Sequence, residues 1–89
     1  MQFEWNQKKA AKNLTKHGVS FDEAVTVFYD PLSATFNDPD HSECEYRYIT
    51  IGFSSARRLL VVAYTERAGN IRNISARCAT ARERKNHEA

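Results

Sequence analysis

Apolar residues recur at helical spacing in the first third of the chain and alternate with polar residues in the second half. A short strand, "QFEW", precedes a helix predicted over residues 7–17, which Asn6 can cap and Gly18 can end in the left-handed conformation. The apolar stripe of this helix has three members at i, i+4 and i+7: Ala10, Leu14 and His17.

A second helix is predicted to begin at the capping box Ser20–Glu23, in which the two side chains satisfy each other's free backbone N–H groups. The residues that this helix should bury are Phe21, Ala24, Val25 and Phe28. Asp30-Pro31 should end it, because proline disfavours helical geometry in the residue before it.

The following segments are predicted to be strands: "LSATF", "YRYITIGF", "LLVVAYTE" and "IRNISARC". Alternation in the second puts four residues on one face: Arg47, Ile49, Ile51 and Phe53. The third is apolar on both faces, which is typical of a central strand, and Ala68-Gly69-Asn70 reverses it into an antiparallel fourth. Because "LLVVAYTE" is apolar on both faces, we also expect one face of the sheet not to be fully covered by the chain's own helices.

A second capping box, Thr80–Glu83, opens a short basic C-terminal helix. The order of a strand, two helices, three or four strands and a helix indicates an α+β fold with helices packed on an antiparallel meander. With 89 residues, the chain is expected to form one domain over residues 1–89.

Composition narrows the class of protein. The hydrophobic fraction of 42% indicates a packed globule, and no apolar run approaches the roughly 20 residues of a membrane span. The N-terminus lacks a signal-peptide pattern, so a cytoplasmic protein is expected. Cys44 and Cys78 fit free thiols in a reducing compartment better than a zinc site or a disulfide framework.

The net charge is only +2, but it is unevenly distributed. Seven carboxylates and no Lys or Arg lie between Gly18 and Glu45. The basic residues cluster at the two ends of the chain: Lys8, Lys9, Lys12, Lys16, Arg67, Arg72, Arg77, Arg82, Arg84 and Lys85. This distribution suits a basic surface for a polyanion, although a solvated helix face is the better account of any single charge run.

An acidic loop, "NDPDHSECE", raises the question of a metal ion. Its mixed donors are Asp38, Asp40, His41, Glu43 and Cys44, a set that matches no particular ion, so a solvated loop is the default. The three glycines are scattered and form no phosphate-binding loop, so no nucleotide cofactor is expected. No serine lies in the pattern of a nucleophile elbow.

Three arginines fall within or at the ends of predicted strands: Arg47, Arg67 and Arg77. A half-buried guanidinium needs an anion, which is either a carboxylate such as Glu45 or Glu66 or the phosphate of a ligand. Strand alternation places Asn73, Ser75 and Arg77 on one side of the last strand, as the floor of a candidate site.

Several blocks of the sequence together resemble the BrnT-type ribonuclease toxins of bacterial type II toxin–antitoxin modules. The blocks, which span residues 3–85, are "FEWNQKKAAKNLTKHGVSFDEAVTVFYDP", "DHSECEYR", "IGFSS", "RLLVV" and "TERAGNIRNISARCATARER", and "KHGVSF" and "ISAR" are the most specific. The resemblance implies a RelE-like fold with two N-terminal helices and a C-terminal helix on an antiparallel sheet of about four strands.

It also implies metal-independent cleavage of RNA that inhibits translation. The implied partner is an antitoxin with a ribbon-helix-helix DNA-binding part, in a hetero-oligomer, or a second copy of the chain in a homodimer. Metal-free cleavage through the ribose 2′-OH needs a base, an acid and positive charge for the transition state. The candidate catalytic residues are Lys16, His17, Glu66, Arg77 and His87, and the candidate phosphate-binding residues are Arg47, Arg67, Arg82 and Arg84.

The sequence departs from the family pattern at three positions. Asn6 replaces a usual Asp, Asn73 replaces an aliphatic residue, and His87 stands where a Tyr is common. An imidazole at the last position could transfer a proton at neutral pH. The departures leave open a second hypothesis, an inactive homologue that only binds protein or RNA. A third hypothesis, ranked last, is a metal-dependent hydrolase built on the acidic loop.

Overall fold

The computed structural model describes residues 2–38 and 46–88. The strands are β1 (Gln2–Glu4), β2 (Ala34–Asn37), β3 (Arg47–Phe53), β4 (Leu59–Arg67) and β5 (Asn70–Cys78). The helices are α1 (Gln7–His17), α2 (Phe21–Thr26) and α3 (Ala81–Glu88), with a 3₁₀ turn at Val27–Tyr29 after α2. The α+β class and the order of the elements are as predicted.

The five strands form one sheet in the order β1-β5-β4-β3-β2, so the apolar strand β4 is central, as expected. Four strands form the predicted antiparallel meander. The prediction of an antiparallel sheet of about four strands needs one correction, because β1 pairs with β5 in parallel and makes the sheet mixed. The residue Phe3 of β1 pairs with Ile71, which extends the core under α1.

The two faces of the sheet have different environments. The face that we call the helix face carries Leu60, Val62, Tyr64, Ile71 and Ala76, which pack with residues of α1, α2 and the 3₁₀ turn. The face that we call the open face carries Arg47, Ile49, Ile51 and Phe53 of β3 and their β4 partners Thr65, Ala63, Val61 and Leu59. The prediction that these four β3 residues share a face is therefore confirmed.

The local signals at α1 act as predicted, but its buried stripe differs. Asn6 caps the helix by accepting from the N–H groups of Lys8 and Lys9, and Gly18 ends it at a φ of 69°. Leu14 is 52% exposed, so its place in the predicted stripe is wrong. Asn13 is buried instead, because its amide binds Val19 O and both backbone groups of Ala76 on β5.

The capping box of α2 forms in one direction only. Ser20 Oγ accepts from Glu23 N–H, but the Glu23 carboxylate turns away to Ser54 Oγ at 2.7 Å and to Arg58 Nε at 2.9 Å. Arg58 also donates to Gly18 O, so it ties both helices to the β3–β4 turn. Of the four residues predicted to be buried, Phe21 and Ala24 are buried, whereas Val25 and Phe28 are only half-buried. Val27 is buried in their place.

A β-bulge in β5 overturns the predicted grouping of Asn73 with Ser75 and Arg77. The pairing shifts between Ala63 and Tyr64 of β4, so that Ser75 faces Ala63 but Asn73 faces Tyr64. One inserted residue reverses the alternation, and Asn73 therefore lies on the helix face while Ser75 and Arg77 lie on the open face. Asn73 is 2% exposed, and neither polar atom of its amide has a partner among the described residues.

Among the described helices, α3 lies over one end of the open face. His87 of α3 packs against Phe53, with ring centroids 6.2 Å apart. Large apolar side chains beside it stay exposed, with Leu32 at 76% and Phe36 at 48%. The predicted incomplete cover is therefore seen at the edge strand β2, whereas Leu59, Val61 and Thr65 of the central strand are buried on this face. None of the helices in residues 2–38 and 46–88 is long and apolar enough to cross a membrane.

Candidate active site

Arg77 is the centre of the candidate site. It lies on the open face of β5, opposite Val61, with 40% of its side chain exposed. Glu83 of α3 holds its guanidinium by two hydrogen bonds, from Nη1 to Oε1 at 2.7 Å and from Nη2 to Oε2 at 3.0 Å. For this arginine the expected carboxylate partner exists, but it is Glu83 and not Glu66, while Glu45 lies outside the described residues.

The pair leaves part of the Arg77 guanidinium available. Of its five N–H groups, two bind Glu83 and one donates to Cys78 O at 3.3 Å. The Nε–H and the second Nη2–H point to the other side and have no acceptor among the described residues. These two groups form a planar fork of the kind that binds two oxygens of a phosphate. Arg77 can therefore keep Glu83 and bind a phosphate at once.

Glu83 is fixed from two directions. Thr80 N–H donates to Glu83 Oε1 at 2.9 Å and Thr80 Oγ1 accepts from Glu83 N–H, so the predicted capping box of α3 forms in both directions. The pKa of Glu83 is lowered to about 2, first by the hydrogen bonds from Arg77, against the effect of burial, and then by Thr80 N–H. Glu83 is accordingly an anion at neutral pH and a fixed support for Arg77.

A cleft of about 550 Å³ lies between α3 and the open face. The described residues that line it are Leu32, Ala34, Phe36, Ile51, Glu83, Asn86 and His87. Glu83 and His87 are four residues apart and so lie on one side of α3. The structure therefore brings Arg77, Glu83 and His87 to the same region, with an ionisable imidazole on the wall of the cleft.

Helix α1 brings a further cation to this edge. Asn13 binds both backbone groups of Ala76, so α1 runs along the edge of β5 beside Arg77. At about 100° per residue, Ala10 and Lys16 lie on either side of Asn13. Ala10 packs into the core on the helix face, so the exposed Lys16 is directed toward the open face. His17 lies on the same side as Ala10 and is half-buried, which separates it from Arg77.

The other predicted site residues are spread over the molecule. Glu66 pairs with Ile71 and so lies on the helix face, away from Arg77. Arg47 and Arg67 lie on the open face near the β4–β5 hairpin, opposite Thr65 and Asn70 respectively. Two exposed residues of α3 complete the set: Arg82 and Arg84, the latter 3.5 Å from Glu88.

The metal hypothesis rests on residues that are almost all outside the described ranges, namely Asp40, His41, Glu43 and Cys44. In the part of the chain that the structure describes, no three His, Cys, Asp or Glu side chains are grouped to hold an ion.

Comparison with known proteins places the chain in a family. The family profile described as the ribonuclease toxin BrnT of type II toxin–antitoxin systems matches residues 5–83. The chain belongs to the BrnT family. No curated protein sequence matches it significantly. The crystal structure of the Brucella abortus ribonuclease toxin BrnT, at 1.1 Å resolution, is similar to it with a TM-score of 0.70 and 20% identity, covering 90% of this chain and 97% of that chain. That likeness bears on the fold alone.

As a BrnT-family ribonuclease toxin, the chain has RNA as its substrate and an antitoxin as its partner. The fold and family that the sequence predicted are confirmed. Sequence reasoning missed Glu83 as a site residue. The capping box at Thr80 signalled where this glutamate stands, but nothing in the local pattern signalled that its carboxylate also binds Arg77.

Proposed function

We propose that this BrnT-family chain cleaves RNA internally without a metal ion, with Arg77 at the scissile phosphate. The observation that carries the proposal is the Arg77 guanidinium, which is held by Glu83 on the wall of a cleft and keeps two N–H groups without an acceptor among the described residues. In the reaction the ribose 2′-oxygen attacks the adjacent phosphorus, and the bond to the 5′-oxygen of the next nucleotide breaks. The products are a 2′,3′-cyclic phosphate and a 5′-hydroxyl.

The residues divide the chemistry between charge and proton transfer. Arg77 stabilises the extra negative charge of the pentacoordinate phosphorus, and Lys16 adds positive charge from the edge of β5. His87 is the proposed proton donor or acceptor, because its imidazole lies on the wall of the cleft. His17 and Glu66 are weaker candidates, since one faces the core side of α1 and the other faces the helix face of the sheet.

The proposed biological role is inhibition of translation in the cytoplasm, released when a ribbon-helix-helix antitoxin binds. The exposed Leu32 and Phe36 offer apolar surface for that antitoxin or for a second copy of the chain. Arg82 and Arg84 extend the basic surface along α3 for RNA.

The proposal is tested by incubating the purified chain with RNA in EDTA and following cleavage for the wild type and Arg77→Ala. The wild type should cleave, and loss of Arg77 should reduce kcat on the order of a hundredfold, the loss found for one transition-state donor. Arg57→Gly is the matched control, because Arg57 is exposed in the β3–β4 turn at a φ of 62°, which glycine tolerates.

Intact RNA under these conditions would favour the binding module without catalysis. Cleavage that EDTA abolishes and a divalent ion restores would favour the metal-dependent hydrolase. Circular dichroism of each variant separates loss of activity from loss of fold.

A further inference from the structure

A row of residues crosses the open face at the hairpin end of the sheet, remote from Arg77. Thr65 of β4 has Arg47 of β3 on one side and Arg72 of β5 on the other. Directly paired residues lie on the same face, so the three side chains project together. The Cα atoms of the two arginines are separated by two strand spacings, or about 10 Å.

Thr65 carries an unusual polar group. The residue is 1% exposed, and its Oγ1 has no hydrogen-bond partner in residues 2–38 and 46–88. A buried hydroxyl without a partner costs about 1–3 kcal/mol, so an unpaired hydroxyl under two arginines requires an explanation. A ligand oxygen that enters between the two guanidinium groups would supply the missing partner.

Arg72 also lacks a charged partner among the described residues. Its side chain is half-buried and its guanidinium makes no ion pair there, although Glu4 of β1 is paired with it in the sheet. Asp38 stands at the other end of the row, where its N–H donates to Arg47 O. Arg72 is therefore the cation beside the buried hydroxyl that makes no ion pair among the described residues.

From these observations we infer that Arg72 and Thr65, with Arg47, form a second phosphate subsite that holds the RNA strand away from the point of cleavage. The inference rests on the proposed function and extends it. Val61, opposite Arg77, is four residues from Thr65 along β4, which separates the two subsites by about 13 Å. One phosphate cannot reach both, so the subsite binds a phosphate farther along the same strand and aligns it on the open face.

The experiment measures binding of a fluorescent, fully 2′-O-methylated RNA oligonucleotide, which keeps its phosphates and lacks the nucleophile. Anisotropy titrations between about 50 and 200 mM salt give the affinity and its salt dependence. Arg72→Ala should weaken binding on the order of tenfold and reduce the slope of log K against log salt by about 0.7, the value for one phosphate on a single strand. The control Arg57→Gly removes an exposed cation in the β3–β4 turn, at the end of the sheet opposite the β4–β5 hairpin, and should change neither quantity.

Thr65→Val keeps the shape of the side chain and removes only the hydroxyl. It should weaken binding by roughly two- to tenfold, the range for one hydrogen bond, without lowering the free energy of unfolding. A merely structural hydroxyl predicts unchanged binding. Because this variant removes an unpartnered group, it stays informative if Arg72→Ala fails to fold.

The outcomes separate the two proposals. A wild-type chain that does not bind the oligonucleotide would overturn both. Wild-type binding with the same affinity and salt slope in Arg72→Ala and Thr65→Val would overturn the subsite and leave the proposed function standing. Unchanged RNA binding together with weaker binding of Arg72→Ala to the antitoxin would assign the row to the protein partner and also overturn the subsite.

Discussion

Arg77 and Glu83 are joined by two parallel hydrogen bonds of 2.7 and 3.0 Å between a strand and the helix that follows it. The same carboxylate caps α3 through Thr80 N–H. The arrangement fixes the guanidinium of Arg77, so the end of β5 and the first turn of α3 form one unit.

The first prediction concerns Glu83→Gln. Glutamine offers one acceptor oxygen and sets an NH₂ group against an Arg77 N–H, so the guanidinium loses its fixed orientation. We expect kcat for RNA cleavage to fall about tenfold, equivalent to roughly 1.4 kcal/mol, with little change in KM. Glu88→Gln is the control, because Glu88 pairs at 3.5 Å with the exposed Arg84. Faster cleavage by Glu83→Gln would mean that Glu83 blocks Arg77 and would refute its positioning role.

The second prediction concerns stability and pH. The pKa of Glu83 is about 2 in the folded chain and 4.5 when unperturbed, so the folded state favours the anion. Its contribution to stability is therefore fully present above about pH 4.5 and is lost as the pH falls toward 2.

Urea unfolding of the wild type and Glu83→Gln from pH 7 to pH 3 tests this second prediction. The difference in free energy of unfolding should shrink through the acid range. The lowered pKa values of Glu23 and Asp30 affect both proteins equally and cancel in the comparison. A difference that stays constant over that range would exclude the Arg77–Glu83 pair as its source.

The third prediction concerns Asn73, whose buried amide has no partner in the described ranges. Asn73→Val should raise the free energy of unfolding by about 1–3 kcal/mol, because an apolar side chain removes the unpaired polar atoms and valine suits a strand. Thermal unfolding measures the change, and Asn37→Val on the exposed edge strand should alter it little. A lower melting temperature for Asn73→Val would show that its amide finds partners in solution.

The sequence predicted those features of the fold that depend on neighbouring residues. Asn6, Gly18 and the Ala68-Gly69 reversal, where both φ angles are positive, are each determined by local backbone geometry. Asn13 escaped prediction because its partner Ala76 is 63 residues away, and an asparagine on a helix gives no sign of a distant strand edge. Leu14 was wrongly placed in the core because the pattern within one helix does not show which side of that helix packs against a distant strand.

The candidate site was predictable only in part. Arg77 was found from its position in a strand and from the family resemblance, but its partner Glu83 depends on how α3 folds back over β5. The bulge near Asn73 depends on the pairing of β4 with β5, which alternation within a single strand does not report.

Metal-independent attack by the ribose 2′-OH is tested by cleavage, in EDTA, of an RNA oligonucleotide and of the same oligonucleotide with one 2′-deoxy nucleotide at the cleaved position. We expect the all-ribose strand to be cut to a 2′,3′-cyclic phosphate and a 5′-hydroxyl, and the single substitution to abolish cleavage at that position. Cleavage of the substituted strand at the same position, or no cleavage of either strand until a divalent ion is added, would contradict it.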